Sequence, residues 1–218
     1  MLTGTAPIFC SGGDIRSMTT DAVVGRQRLE VVNAIARQMI TGRVPIVAAV
    51  EGGAFGLGLA LACACDLVVA GRSARFAASF ARIGLAPDTG LSWSLPQRVG
   101  RSVARRMVLT ASTVDADDAL SCGLVDELVD DGKALDRAVD VAEELAGLSA
   151  PMVAGLRRIL AQPDQSLDAV LETEGAVQVD LFGTPEFAEG RTAFLERRAP
   201  DFAGPGAAAE GTASQGQP

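Results

Sequence analysis

Hydrophobic positions in the first half of the chain follow two patterns, helical spacing and short unbroken runs. Apolar residues recur at helical spacing across residues 21–41, and Gly42 follows that stretch. Residues 46–50 and 67–70 are unbroken apolar runs of strand length, as expected for strands buried on both faces. A short helix that begins near Gly56 separates the two runs. Strand, helix and strand in this order form a βαβ unit, so we predict an α/β fold with a largely parallel sheet.

The chain after residue 90 is predicted to be mostly helical. Helices are expected from about Leu91, over 101–110, over 114–122 and, after a strand at 124–129, over 134–148, 151–161, 166–182 and 185–197. Residues 204–218 are rich in Gly, Ala, Ser and Gln and carry too little apolar bulk to fold. The predicted organisation is an α/β core at 1–130, a helical C-terminal region at 131–203 and a disordered tail at 204–218.

Length and charge narrow the range of functions. With 218 residues, 48% of them hydrophobic, the chain is long enough for one domain with a substantial core. A formal net charge of −8 argues against a nucleic-acid partner, because no basic face is evident. The charge-free stretch at 52–65 would span about 21 Å as a helix, too short to cross a membrane. We therefore expect neither nucleic acid nor a membrane as a partner.

Histidine and tyrosine are absent from the sequence. Their absence excludes His-based catalytic triads and His-containing metal sites, so any acid–base chemistry must come from carboxylates, Lys, Cys or backbone dipoles. No metal site is predicted. The four cysteines contain no CxxC pair, and we expect them to be reduced, mostly buried residues of a cytoplasmic protein.

Two glycine-rich turns are candidates for ligand binding, one at residues 11–14 and one at residues 52–58. Each is predicted to precede a helix and to follow a strand, the first of which would end at Ile8 and Phe9. Glycine lets a ligand approach the main chain, and free N–H groups at a helix N-terminus attract negative charge. Two such turns facing one another would form an oxyanion hole. The alternative is a pair of ordinary strand–helix turns whose glycines allow tight packing.

Asp88 lies in a loop-like stretch just before the helix predicted from Leu91. One interpretation is an N-cap of that helix, since Asp is a favoured capping residue. The other is a carboxylate in an apolar cleft formed with Leu85, Ala86 and Trp93, where burial would suit a general base. The residues alone leave both interpretations open.

These segments together resemble the crotonase, or enoyl-CoA hydratase/isomerase, superfamily. The matching stretches run in family order: 9–15 (FCSGGDI), 46–66 (IVAAVEGGAFGLGLALACACD), 74–76, 83–100 (IGLAPDTGLSWSLPQRVG), 109–110, 119–125 and 189–198. The resemblance implies a crotonase-like ββα spiral with a helical C-terminal trimerisation region, assembled as a homotrimer or hexamer. It also implies an acyl-CoA thioester substrate, with coenzyme A as part of the substrate and no separate cofactor. Family members carry roughly one more strand-rich segment before this first turn, so N-terminal strands of the core are expected to be missing here.

Site residues follow from the resemblance position by position. The backbone amides of Gly13 and Leu57 would form the oxyanion hole, and Asp88 would be the catalytic residue. The residues expected to contact the substrate or its coenzyme A are Gly12, Asp14, Ile15, Arg16, Gly56, Gly58, Phe80, Leu85, Pro87, Trp93, Arg197 and Arg198. The two arginines are included because the C-terminal helix of family members often reaches the nucleotide of a neighbouring subunit.

Two departures from the family pattern decide which reaction is expected. Hydratases use two glutamates, and the corresponding positions here are Ala60 and Phe80, which cannot do acid–base work. Asp88 stands where some enoyl-CoA isomerases keep an acidic base, and its PDTGLSW context is most similar to that isomerase branch. We therefore expect an acyl-CoA double-bond isomerase. The alternatives are an enoyl-CoA hydratase or lyase of the same superfamily, or a catalytically silent acyl-CoA-binding homologue.

Overall fold

A computed structural model describes residues 1–162 and 165–202 of the chain. The chain forms two compact units, Met1–Ala142 and, from Glu143 onward, a second one. The tail predicted at 204–218 lies outside the described residues.

Seven short strands lie in the first unit. They are β1 (Leu2–Thr3), β2 (Val47–Val50), β3 (Gly53–Phe55), β4 (Leu67–Gly71), β5 (Arg75–Ala77), β6 (Thr113–Asp115) and β7 (Glu127–Val129). One sheet has the strand order β1-β2-β4-β7 and is parallel throughout. The other has the order β3-β5-β6, with a parallel pair and an antiparallel pair. The predicted α/β class with a largely parallel sheet is confirmed.

Eight α-helices are described. They are α1 (Ala22–Thr41), α2 (Leu57–Ala64), α3 (Leu91–Thr110), α4 (Ala116–Ser121), α5 (Ala134–Ala146), α6 (Ala150–Leu160), α7 (Leu167–Phe182) and α8 (Pro185–Glu196). Two 3-10 helices, Ile15–Ser17 and Ser79–Ile83, lie in loops of the first unit. The helices predicted between residues 134 and 197 are confirmed to within two residues at each end.

The core of the first unit explains why its strands tolerate so few polar residues. All four side chains of β2 are buried, and β1 and β4 pair with the two edges of this strand. Helix α2 adds Leu59, Ala60 and Ala62 to the same core, and each is at most 1% exposed. A helix with an apolar surface almost all round can be stable only when it is buried. The unbroken apolar runs in the sequence therefore mark the central layer correctly.

Several local predictions are wrong. Ile8 and Phe9 are not in a strand; Cys10 alone forms a parallel bridge, to Ala54. The helix predicted from residue 114 begins at Ala116, because residues 113–115 form β6. The predictions also missed β3 and β5. Each of these strands is three residues long, too short to display a period of two, so hydrogen bonding to distant segments decides their conformation.

The second unit is built from helices only, within its described residues. Gly155 of α6 lets α7 approach closely, since a Cβ at this position would lie 2.6 Å from a methyl carbon of Val177. Buried side chains include Val153, Val177 and Ala193. Many large apolar side chains of this unit are exposed, among them Phe194 at 82%. In the part of the chain that the structure describes, no helix is both long and apolar enough to span a membrane.

Candidate active site

The first glycine-rich turn is held at its start by the bridge between Cys10 and Ala54. Cys10 donates its N–H to the Gly53 carbonyl and accepts from the Phe55 N–H, at 3.1 and 2.9 Å. Gly12 has a φ of 105°, which side-chain-bearing residues rarely adopt. The turn continues into a three-residue 3-10 helix rather than the predicted α-helix, and the side chain of Asp14 caps it by accepting from the Arg16 N–H.

The second turn joins β3 directly to α2. Gly56 has a φ of 52° and donates its N–H to the Ala77 carbonyl of β5 at 3.0 Å. It also occupies the N-cap of α2 and has no side chain to bond the first amides of the helix. Gly58 packs against the first turn, because a Cβ here would lie only 2.5 Å from the Cys10 carbonyl oxygen. Glycine at position 58 is therefore required for the two turns to approach.

The parallel bridge brings together the two chain segments that carry the expected oxyanion donors. The bridge between Cys10 and Ala54 is parallel, and three residues further along both segments are Gly13 and Leu57. Continuity of this register is supported one residue earlier, since a Cβ at Gly56 would lie 4.0 Å from the Cα of Gly12. Those two Cα atoms are thus no more than about 5.5 Å apart.

Both expected donor amides are available to a ligand. Among the described residues, neither the Gly13 N–H nor the Leu57 N–H has a hydrogen-bond acceptor. Leu57 is the first residue of α2, where the helix dipole also favours a negative charge. Two unsatisfied amides on facing turns can polarise one carbonyl oxygen. An oxyanion hole formed by Gly13 and Leu57 stays a prediction.

Arg98 of α3 fixes the opposite end of α2. Its guanidinium, 11% exposed as a side chain, donates to the carbonyl oxygens of Cys65 and Asp66 at 2.6 and 3.1 Å. It also forms an ion pair of 3.1 Å with Asp126, whose carboxylate accepts the Val68 N–H of β4. A cation at the C-terminal end of a helix stabilises its dipole. Arg98 therefore ties α2 to the parallel sheet at the end remote from Leu57.

Asp88 is not the N-cap of α3, so that interpretation of its sequence position is wrong. The N-cap is Gly90, at a φ of 74°, and no side chain caps the helix. Thr89 also has a positive φ, so the chain enters α3 through two left-handed residues that set Asp88 back from the first helical amides. The Asp88 carboxylate instead accepts a hydrogen bond of 2.8 Å from the Thr89 hydroxyl, and Thr89 is buried at 1% exposure.

A short series of contacts leads from the second glycine-rich turn towards Asp88. A Cβ at Gly56 would lie 3.2 Å from the Ser79 hydroxyl oxygen, which places the second turn beside the 3-10 helix at 79–83. The Leu85 N–H then donates to the Phe80 carbonyl at 3.1 Å. Asp88 follows three residues later. The Asp88 carboxylate thus lies on a loop that begins next to the second glycine-rich turn.

The surroundings of Asp88 are more open than the sequence predicts. Leu85 is 48% exposed and Ala86 is also exposed, whereas Asp88, Pro87 and Trp93 are half-buried. Ile83, 43% exposed, extends this apolar surface. The expected enclosed cleft is replaced by an exposed apolar strip beside the carboxylate. Such a strip can contact an acyl chain.

Comparison with known proteins identifies the family. Residues 1–205 match the family described as enoyl-CoA hydratase/isomerase. The chain belongs to the enoyl-CoA hydratase/isomerase family. A Rhodobacter capsulatus protein named "probable enoyl-CoA hydratase" is 37% identical over 94% of the chain and 80% of the relative. The 1,2-epoxyphenylacetyl-CoA isomerase of Escherichia coli is 31% identical over the same shares of each protein.

Solved structures give the same result for the fold. The crystal structure of an enoyl-CoA hydratase from Polaromonas sp. JS666 superposes with a TM-score of 0.84 at 31% identity, over 89% of this chain and 77% of that one. The crotonase-type α/β fold with a helical C-terminal region, expected from the sequence, is confirmed. Relatives with hydratase and isomerase names occur side by side, so the comparisons establish the family and not the reaction.

The two positions that carry glutamates in hydratases of the family are apolar and buried. Ala60 is 0% exposed in α2, and Phe80 is 8% exposed in the 3-10 helix that follows β5. Both side chains belong to the main hydrophobic core. Nothing at these two positions can hold or activate a water molecule.

The remaining site candidates of the first turn lie on its surface. Asp14, Ile15 and Arg16 are exposed, with Ile15 at 59%. Exposed positions directly after the Gly13 amide are accessible to a ligand that extends away from the oxyanion hole. Their expected contact with coenzyme A stays a prediction.

Arg197 and Arg198 lie in the second unit and differ in their surroundings. Arg198 forms hydrogen bonds to Glu189 at 2.6 and 2.9 Å and to Glu196 at 2.7 Å. The hydrogen bond from Arg198, followed by that from the Asp201 N–H, lowers the pKa of Glu189 to about 2. Arg197 ends α8 at a φ of 57° and is exposed. Arg198 is thus already engaged by two carboxylates, which leaves Arg197 as the more accessible cation of the two.

The cysteines of the chain lie at buried or half-buried positions. Cys63 and Cys65 are buried, Cys10 and Cys122 are half-buried, and none of these four residues forms a disulfide. Burial raises the pKa of Cys63 to about 12, so this thiol stays protonated. Within residues 1–162 and 165–202, no cluster of His, Cys, Asp and Glu is placed to hold a metal ion.

Three residues with a role in the site geometry were missed by sequence reasoning. Thr89 bonds the Asp88 carboxylate, Arg98 anchors α2, and Arg28 of α1 lies beside Gly13. Thr89 follows Asp88 directly and could have been considered. The contacts of Arg28 and Arg98 join segments far apart in sequence, which a single sequence cannot reveal.

Proposed function

We propose that this protein is an acyl-CoA double-bond isomerase that moves a double bond between the β,γ and α,β positions of an enoyl thioester. The observation that carries the proposal is the distribution of carboxylates. Both hydratase glutamate positions are buried apolar residues, Ala60 and Phe80, while Asp88 is a half-buried carboxylate that accepts a hydrogen bond from Thr89 and does not cap α3. One carboxylate suffices for isomerisation, whereas hydration in this family uses two.

The proposed reaction proceeds through a dienolate. Asp88 takes a proton from Cα of the β,γ-enoyl thioester, and the resulting negative charge is delocalised onto the thioester oxygen. The Gly13 and Leu57 amides stabilise this oxygen, and loss of one such donor costs about 2.7–4 kcal/mol in barrier height. Asp88 then returns the proton to Cγ. The reaction uses no cofactor beyond the coenzyme A that the substrate carries.

The test is the isosteric substitution Asp88→Asn. With trans-3-hexenoyl-CoA as substrate, we expect kcat for formation of the conjugated 2-enoyl thioester to fall by about 100-fold or more, because the variant cannot accept a proton. Formation of the conjugated product is followed by its ultraviolet absorbance. Asp117→Asn is a matched control, since Asp117 is an exposed residue in the first turn of α4. Full turnover by Asp88→Asn would refute the shuttle.

Hydration is the second candidate, because the Rhodobacter capsulatus relative carries a hydratase name. Efficient hydration of crotonyl-CoA together with no turnover of 3-hexenoyl-CoA would reverse the ranking. Binding of acyl-CoA thioesters without turnover of either substrate would instead indicate a catalytically silent homologue. Assembly as a homotrimer or hexamer and a cytoplasmic location stay predictions.

A further inference from the structure

Arg28 of α1 lies against the first glycine-rich turn. A Cβ at Gly13 would lie 3.4 Å from Nη2 of Arg28, which places this nitrogen within about 5 Å of the Gly13 Cα. The turn approached by Arg28 is the one whose amide is expected to hold the thioester oxygen. A positive charge is therefore located at the acyl-CoA site without belonging to the machinery described above.

The position of the Arg28 guanidinium is fixed by neutral groups. Nη1 donates to the Ser17 hydroxyl at 3.1 Å, and that hydroxyl in turn donates to the Asp14 carbonyl at 2.8 Å. No ion pair of Arg28 occurs among the described residues, although acidic residues outnumber basic ones, 27 to 19, in the chain. The side chain is half-buried. Its charge is thus held in place but not neutralised, and Nη2 is directed to the Gly13 side.

A guanidinium in this state is suited to bind a carboxylate. Its planar set of donors matches the two oxygens of a carboxylate, and a charge-assisted hydrogen bond is stronger than a neutral one. The phosphates of coenzyme A are separated from the thioester sulfur by the whole pantetheine arm, whereas the acyl group begins at the carbon that the Gly13 amide polarises. The anion that can lie closest to Arg28 is therefore a carboxylate at the end of a short acyl chain.

We infer that Arg28 is a specificity-determining residue, and that it selects acyl-CoA thioesters whose acyl group ends in a carboxylate. The inference rests on the proposed acyl-CoA site at Gly13. It is independent of whether that site performs isomerisation or hydration.

The test compares binding of two saturated thioesters, glutaryl-CoA and valeryl-CoA, by isothermal titration calorimetry. Their acyl chains have equal length and differ in the terminal carboxylate, and neither requires turnover. The unaltered protein is expected to bind glutaryl-CoA about tenfold or more tightly than valeryl-CoA. Arg28→Gln should abolish this preference while the Kd for valeryl-CoA changes by less than about twofold. Arg26→Gln, a charge-matched change at an exposed position of the same helix, should retain the preference.

Arg28→Lys keeps the charge but not the planar donor set, so it should retain a smaller preference and serves where Arg28→Gln folds poorly. Equal affinity of the unaltered protein for both thioesters would overturn the inference. An equal loss of both affinities in Arg28→Gln would overturn it as well.

After such an equal loss, binding of valeryl-pantetheine shows which group Arg28 contacts instead. Unchanged binding of this phosphate-free thioester assigns Arg28 to a coenzyme A phosphate, and weakened binding assigns it to the thioester oxygen. Absence of isomerase activity with an intact, Arg28-dependent preference would refute the proposed reaction and leave this inference standing.

Discussion

The two glycine-rich turns that carry the proposed donor amides are built differently. The second turn lies between β3 and the buried helix α2, and Gly53, Gly56 and Gly58 within it are all buried. The first turn begins at a single bridge, continues into a three-residue 3-10 helix, and is half-buried or exposed over residues 11–14. One donor amide is therefore held by a helix and a sheet, and the other by a loop.

Because of this difference, substitutions near the two proposed donor amides should have different effects. The Leu57 amide is positioned by elements that also form the core, so changes near it should alter folding and turnover together. The first turn is approached at Gly13 by side chains, Met18 and Arg28, rather than by backbone. Changes there should alter substrate preference more than folding.

Among the substitutions that test this comparison, Gly58→Ala should have the largest combined effect on stability and kcat. The added Cβ would lie 2.5 Å from the Cys10 carbonyl oxygen and 2.6 Å from the Cys10 Cβ, so α2 must shift away from the first turn. We expect the free energy of unfolding to fall by about 1–3 kcal/mol and kcat to fall by about 100-fold. Urea unfolding and steady-state kinetics measure the two effects. Gly25→Ala is the control, since a Cβ there meets nothing within 4 Å. Unchanged kcat in Gly58→Ala would show that the facing turns need not touch.

Arg98→Met should have the second-largest effect. It tests the end of α2 that is remote from Leu57. The substitution removes hydrogen bonds to the Cys65 and Asp66 carbonyls and leaves Asp126 without its ion-pair partner. We expect a loss of about 3 kcal/mol in the free energy of unfolding, measured in urea. Arg105→Met, at an exposed position of the same helix, should change it by less than about 0.5 kcal/mol. Equal stability of the two variants would mean that α2 does not depend on this anchor.

Gly13→Ala should have the smallest effect. A Cβ at Gly13 would meet the flexible Met18 side chain at 3.1 Å, and it would lie at 3.4 Å from Nη2 of Arg28, an ordinary van der Waals distance. We expect a stability change below about 1 kcal/mol and a decrease in kcat of less than tenfold, by the same two measurements. A loss as large as that of Gly58→Ala would remove the distinction between the two turns.

Elements buried on both faces or strongly periodic were predictable from the sequence. Strand β2 and helix α1 were found because an unbroken apolar run and a helical spacing each have one simple structural solution. Asp21 caps α1 through its side chain, as a favoured capping residue does. Glycine spacing and a carboxylate in a loop-like stretch made the two turns and Asp88 candidates, and the family resemblance then assigned their roles.

Features that depend on tertiary contacts could not be predicted. Strand β3 contains a glycine and is three residues long, so only its pairing with β5 makes it a strand. The N-cap of α3 is Gly90 rather than Asp88, because Thr89 and Gly90 both adopt positive φ. Glycine often does so, but nothing in the sequence indicates a positive φ for Thr89. The proximity of Arg28 to Gly13 depends on the direction in which α1 leaves the first turn.

The hydrogen bond between the Thr89 hydroxyl and Asp88 Oδ1 has a stereochemical consequence for the proposed reaction. Its donor belongs to a buried residue, so it restricts rotation of the Asp88 carboxylate. A single acid fixed in this way would remove and return the proton on the same face of the acyl plane. A deuterium atom removed from Cα would then be carried in part to Cγ before the solvent replaces it.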